Sequence, residues 1–391
     1  LTNLNGYEAV ARALRKARPD GLLTALRGSL GAHYDAVRVD LLLADYGMTA
    51  LCHVSEPHEE HRQYSLFNSE SGRVFGAQER LVDRKVGPGL MVVRLPVSVR
   101  GDRLGVLTVE LPGQEVDERT LGDLEWIAQT LGREILVAER DTDYYRAVRR
   151  RDRLTLAAEM QWDLLAGRAY ECPEYSIGAQ LEPAYAIRGD NFDWSAAADH
   201  LQLSVSNGMG EGIDASLLTS LAVNALRNAR RAGVPLADQV ALADKAVYAQ
   251  HGGERYLDVL ALSFDTTDGT VEVVDAGSPR LFVLRDDTVS RFPFDAQMPL
   301  GMAEDTIYTA QHFEVRPGDR LVFISDGVFD AQGPGPESFG TRALMRSILS
   351  TRLLPAASVP QEVLRNLNEY RQGIESLDDA LVVCLDWRGK G

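Results

Sequence analysis

Asn207-Gly208-Met209-Gly210-Glu211-Gly212 lies between a predicted strand, His200–Ser206, and a predicted helix that begins near Asp214. Its glycines let the backbone come close to a bound group, so the Gly208 carbonyl is a candidate ligand. Three acidic signatures stand elsewhere at expected strand or loop ends: Gly189-Asp190, Ser325-Asp326-Gly327 and Asp378-Asp379. Singly, each reads as a turn or cap residue. If they converge, their mutual repulsion demands cations. An all-oxygen donor set suits Mg2+ or Mn2+. Two such ions about 4 Å apart can polarise a phosphate and acidify a bridging water.

Around this loop, residues from Tyr170 onward alternate in short strands: Leu201–Ser206, Leu257–Phe264, Thr270–Asp275, Leu281–Leu284, Arg320–Ile324 and Leu381–Leu385. Helical blocks interrupt them at Asp214–Ala232 with Leu236–Gln250, and at Thr341–Leu353 with Val359–Arg371. Strands with paired helices and no regular βαβ succession point to an α+β fold, sheets covered by helices.

Residues 1–118 read as a separate small α/β unit. Ala9–Ala17 and Gly21–Tyr34 have helical spacing and Val37–Ala44 alternates as a strand. Leu90–Val99 and Arg103–Leu111 flank Arg100-Gly101-Asp102, a hairpin signal. Residues 119–168 form an expected helical linker, part of a run from Asp117 to about Leu165. Leu124, Leu131, Ala138 and Tyr145 recur every seven residues there. Such a stripe suits a coiled coil joining two protomers into a homodimer; a solvated connecting helix is the alternative. Residues 169–391 complete the chain.

The 391 residues are too many for one ordinary domain, and 45% hydrophobic content is enough for two cores. A formal charge of -16 argues against nucleic acid or an anionic membrane as partner. Cys52, Cys172 and Cys384 form neither a disulfide framework nor a zinc spacing. No apolar run reaches the roughly 20 residues of a membrane span. The expectation is a cytoplasmic protein.

In order along the chain, the segments resemble a known family. Ile187-Arg188-Gly189-Asp190-Asn191-Phe192-Asp193, Ser206–Gly212, Val274-Asp275-Ala276-Gly277-Ser278-Pro279, Pro299-Leu300-Gly301, Arg316–Leu321, Ser325–Val328 and Asp378-Asp379-Ala380 are similar to the blocks of the SpoIIE-type (PPM) metal-dependent phosphatases, relatives of the type 2C Ser/Thr phosphatases. Met160-Gln161 with Leu164-Leu165 resembles the entry to that domain, and the resemblance covers about 155–388. It implies a β-sandwich flanked by helices, and hydrolysis of phosphoserine or phosphothreonine on a bacterial regulatory protein, for example an anti-sigma-factor antagonist. It implies two Mn2+ or Mg2+ ions, with Asp190, Asp326 and Asp378 as ligands and Gly208 as a carbonyl ligand. More loosely, Leu95-Pro96-Val97 and Leu104–Leu107 with the following helix resemble a GAF sensory domain, which implies an unnamed small-molecule or protein signal.

Asn207 falls where the family has the aspartate that bridges both ions. It offers one amide oxygen, and its NH2 cannot ligate. Losing a charge beside two dications costs several kcal/mol even at an effective dielectric of about 20. Weakened metal occupancy, or a phosphatase fold that binds a partner without turnover, are therefore the alternatives. Deamidation of Asn207-Gly208 would restore an aspartate; peptide mass analysis tests that. Glu211 for His or Asn, Ser278 for His and Leu381 for Thr are smaller departures.

Other signals read as ordinary. Gly208-x-Gly210 has Ile213 where a dinucleotide loop needs its third glycine. His53, His58, Glu59, Glu60 and His61 lack the His-Glu-x-x-His spacing and read as a solvated loop. Arg149-Arg150-Arg151 with Arg153 reads as a solvated helix face, or a docking patch. Ser278 and Ser325 belong to no recognisable nucleophile motif.

Overall fold

The computed structural model describes residues 6–55, 62–83, 89–113, 116–183, 185, 187–277, 279–375 and 378–390. The chain divides into two compact units, Leu1–Arg153 and Leu154–Gly391. His58, Glu59, Glu60, His61 and Ser278 lie outside the described residues.

In the first unit, helices α1 (Gly6–Lys16), α2 (Leu22–Tyr34), α3 (Glu70–Ala77), α4 (Glu118–Ala138) and α5 (Tyr144–Val148) accompany one antiparallel sheet. Its strands are β1 (Arg38–Ala44), β2 (Ala50–His53), β3 (Gln63–Ser65), β4 (Leu81–Asp83), β5 (Leu90–Val99) and β6 (Asp102–Pro112), in the order β3-β2-β1-β6-β5-β4. The expected hairpin joins β5 to β6, with Arg100 at φ 51° and Gly101 at φ 90°, values that match a two-residue turn to the twist of the strands. Period-two alternation splits β1 between two cores. Val39, Leu41 and Leu43 bury with α1, α2 and α4; Leu42 and Ala44 bury with Val74 and Phe75 of α3.

The expected continuous helix from Asp117 to about Leu165 is three helices. α4 starts where Asp117 caps it, accepting the Thr120 N–H at 2.7 Å, and stops at Ala138. α5 belongs to the first unit and α6 (Leu156–Leu164) to the second. Leu124, Leu131, Ala138 and Tyr145 enter the first unit's own core. A seven-residue apolar repeat fits a core-facing helix as well as a coiled-coil seam, and here the core takes it. Arg149 also departs from the solvated-face reading. Its Nε donates to the Ala44 carbonyl at 3.0 Å and its guanidinium lies over the Tyr46 ring.

After α6, the second unit's strands are β7 (Ala169–Glu171), β8 (Tyr175–Glu182), β9 (Asn191–Ala196), β10 (His200–Gly208), β11 (Leu257–Asp265), β12 (Thr270–Ala276), β13 (Arg280–Arg285), β14 (Thr288–Phe292), β15 (Gln311–Glu314), β16 (Arg320–Ile324) and β17 (Ala380–Trp387). Its further helices are α7 (Gly212–Arg231), α8 (Leu236–His251), α9 (Asp326–Phe329), α10 (Ala343–Ser350) and α11 (Val359–Arg371). One sheet has the order β15-β12-β11-β10-β9, the other β14-β13-β16-β17-β8-β7. Leu218, Ala222 and Val240 of α7 and α8 cover Leu257, Val259 and Ala261 on the outer face of the first. Val359, Val363 and Leu367 of α11 cover Val322, Val382 and Cys384 of the second. The alternate residues meet between the sheets, where the Phe264 and Trp387 rings stack 5.9 Å apart. The result is the α+β sandwich flanked by helices that the sequence predicts.

Candidate metal centre

The acidic segments meet at one end of this sandwich, at the C-terminal ends of β10 and β16. Alternation along β10 puts Leu201, Leu203, Val205 and then Asn207 on the face turned to the other sheet. Gly208 points the opposite way, toward α7. A Cβ there would lie 2.6 Å from the Thr219 hydroxyl and 2.7 Å from the Gly189 carbonyl, so only glycine fits. Thr219 Oγ1 donates to the Gly189 carbonyl at 2.8 Å and ties the Asp190 loop to α7. Asn191 pairs with Ser206, so Asp190 sits beside Asn207 at the next position of the ladder. Two arginines of α7 hold β9 in place: Arg227 and Arg230 reach the two oxygens of buried Asp193 at 2.8 and 2.9 Å.

From the other sheet, Asp379 is fully buried, and its Oδ2 accepts the N–H groups of Arg188, Gly189 and Asp190 at 2.6, 2.9 and 3.2 Å. Asp378 accepts the Asp379 N–H at 2.8 Å, and Asp326 accepts the Gly327 N–H at 2.7 Å. Gly327 is pressed against the Asp379 carbonyl, so a side chain there would force the two acidic turns apart. Asp326 and Asp378 line one cleft of about 220 Å³, together with Asp330, Glu375, Ile374 and Arg371.

Burial is the first cause of the electrostatic stress here. It pushes the Asp190 carboxyl well above the usual range, and Asp379, Asp326 and Asp378 push it further. Asp378 is raised by burial and by Asp326, against the Asp379 N–H. Burial also raises Asp379, although three backbone N–H groups favour its charged form. Asp190 Oδ2 is buried with no hydrogen-bond partner. A buried carboxylate oxygen without a donor, among like charges, is a place where a cation is favourable.

The donor set thus fits a hard divalent ion in chemical type: carboxylate oxygens and the Gly208 backbone. It is one carboxylate short at Asn207. Among the described residues no three His, Cys, Asp or Glu side chains are gathered closely enough to enclose an ion by themselves.

The sequence assigns no role at the site to three residues that contribute there. Gln161 of the entry segment is buried and accepts from Asn191 Nδ2 at 3.4 Å, bracing the residue next to Asp190. Ser325 Oγ accepts the Leu381 N–H at 3.0 Å and joins β16 to β17 at the site. Asp258 stands directly across the ladder from Asn207. Its signal was available: a lone acid in the apolar run Leu257–Leu262.

Residues 197–388 match the family model described as Stage II sporulation protein E (SpoIIE). The C-terminal unit is therefore a SpoIIE-type PP2C phosphatase domain. Protein IcfG of Synechocystis sp. is 21% identical over 255 residues, covering 58% of this chain and 40% of that protein. Phosphoserine phosphatase RsbU of Bacillus subtilis is 20% identical over 236 residues, covering 59% of this chain and 69% of that one. The chain thus spans less than half the length of the first of these relatives. Among solved structures, the SiaA-PP2C domain of Pseudomonas aeruginosa shares the fold at a TM-score of 0.50 and 19% identity, covering 60% of this chain and 94% of that one. No helix among the described residues is long and apolar enough to cross a membrane.

Proposed function

We propose that this chain hydrolyses phosphoserine or phosphothreonine on a regulatory protein, through partner-switching signalling, with two Mn2+ or Mg2+ ions held by Asp190, Asn207, Asp326, Asp378 and the Gly208 carbonyl. The observation that carries this is the shared cleft of Asp326 and Asp378, together with a buried Asp190 whose Oδ2 has no hydrogen-bond partner. The likeness to a protein named as a phosphoserine phosphatase supports phosphoserine as substrate class. Bound ions would supply Lewis-acid polarisation of the phosphate and a water acidic enough to ionise near neutral pH. The protein's own part is positional. Asp379 fixes the backbone of Arg188–Asp190, Gly327 keeps the two acidic turns in contact, and Arg371 lines the cleft as a cation facing an anionic substrate.

A second reading rests on Asn207: a fold that binds a phosphorylated partner without turnover. Phosphate release from a phosphoserine peptide, in Mn2+ or Mg2+, separates the two. Release by the chain as it stands supports the enzyme. Release only after Asn207→Asp supports the binding module, and release by neither variant defeats the phosphatase reading for that substrate.

The N-terminal unit is the proposed, GAF-like sensor. It carries a concave site of about 480 Å³ where Arg38 and His53 approach Asp40 at 2.7 and 3.3 Å, with Arg27 and Arg62 alongside. Cations outnumber the single acid there, so the signal it suits is a small anion. Thermal shift with carboxylate and phosphate compounds, lost in Arg62→Ala, is the check.

A further inference from the structure

The negative charge that Asn207 lacks stands one strand away. β10 and β11 pair with Asn207 opposite Asp258, and residues opposed in a ladder point to the same face. That face is the inner one: two, four and six residues along β11 from Asp258 come Leu260, Leu262 and Phe264, the last stacked on Trp387 of the other sheet. Asp190, Asn207 and Asp258 therefore follow one another across three neighbouring strands, at the end of the sandwich where Asp379 enters.

The next position across belongs to Gly277, which follows Ala276, the partner of Val259. Gly277 has φ 140°, and a Cβ on it would lie 2.3 Å from Asp258 Oδ1 and 2.4 Å from Asp258 Cγ. The absence of a side chain there makes the room in which the Asp258 carboxylate lies. Asp275, on the same inner face, is pushed up first by burial and further by Asp258. The buried, partnerless Asp190 Oδ2 in the same row independently marks a place for a cation.

We infer that Asp258 supplies the carboxylate charge toward the divalent ions that Asn207 does not, so that an amide and an acid on adjacent strands replace one bridging aspartate. This rests on the metal-centre reading of the site. The rival within the loop is Glu211, which is exposed, immediately precedes α7 and makes no side-chain capping bond.

Isothermal titration of the full chain with Mn2+ decides, alongside the metal-free melting temperature as a check of folding. Asp258→Asn is expected to weaken Mn2+ binding at least about tenfold while Glu211→Gln stays within about twofold. Asn207→Asp combined with Asp258→Asn is expected to bind again, showing that the amide at 258 does not disrupt the fold. Binding by Asp258→Asn within about twofold of the unaltered chain overturns the inference, as does a large loss in Glu211→Gln. So does binding by Asn207→Asp when the unaltered chain binds nothing. If neither the unaltered chain nor Asn207→Asp binds Mn2+, the metal-centre reading itself falls.

Discussion

Asp379 Oδ2 accepts the backbone N–H of Gly189 at 2.9 Å, across 190 positions of sequence. With the neighbouring N–H groups of Arg188 and Asp190 it forms a three-donor grip on the loop that presents Asp190. The two replacements of Asp379 should therefore differ. Asp379→Ala leaves buried N–H groups without an acceptor and should cost about 3 kcal/mol. Asp379→Asn keeps an oxygen and removes a charge from beside Asp190, so metal-free stability should be nearly unchanged. Urea denaturation of both variants in a chelator measures this.

A pH dependence follows from Asp275. Burial, with Asp258 adding, raises its carboxyl from 3.8 to about 6 in the folded protein. The folded state then binds more protons than the unfolded state between these values. Stability should fall as pH rises from about 4 to about 6 and level off above, by up to about 3 kcal/mol from this group. Asp275→Asn can still accept the Gly277 N–H, held at 3.1 Å. It should flatten that part of the curve, read as unfolding free energy against pH; an unchanged slope would count against the assignment.

Arg320 is a further buried charge. Its Nε and Nη2 reach Asp386 at 2.6 and 2.7 Å, and Nη2 also donates to the Leu354 carbonyl at 2.6 Å. Removing one partner of a buried pair strands the other, so Arg320→Ala should destabilise by about 3–5 kcal/mol. Chemical denaturation checks the size. Asp386 is partly exposed, which favours the lower end.

Metal should stabilise the C-terminal unit if the centre binds as proposed. At a hundredfold excess over Kd, Mn2+ should add about 2.7 kcal/mol to the unfolding free energy. Thermal melts with Mn2+ and then with EDTA are the measurement. A melting temperature indifferent to both would speak against binding.

Much of this molecule was legible in its sequence because the deciding signals are local. Leu201–Ser206 alternates, Leu321–Ile324 is a short continuous apolar run, Arg100-Gly101 turns, and Gly189-Asp190 and Asp378-Asp379 mark strand ends. What stayed hidden depends on which strands lie side by side. The pairing of Asn207 with Asp258 joins residues 51 positions apart, and nothing near either announces the other. The stripe of α4 was visible, but periodicity alone does not say whether a helix faces its own domain or a second copy. Asp379 is one of two adjacent acids in the sequence, and only the fold puts the backbone donors of Arg188–Asp190 around it.

The position of β17 has a consequence for how the protein is made. It lies between β16 and β8, in the interior of its sheet, yet it is the last of the unit's strands to leave the ribosome. Until it arrives, β16 and β8 have a vacant place between them and the Asp190 loop has no Asp379 to grip. Such sequence-distant pairing is slow to form. A nascent or C-terminally clipped chain lacking β17 and the residues just before it would thus expose two apolar strand edges, and its acidic centre would lack Asp378 and Asp379.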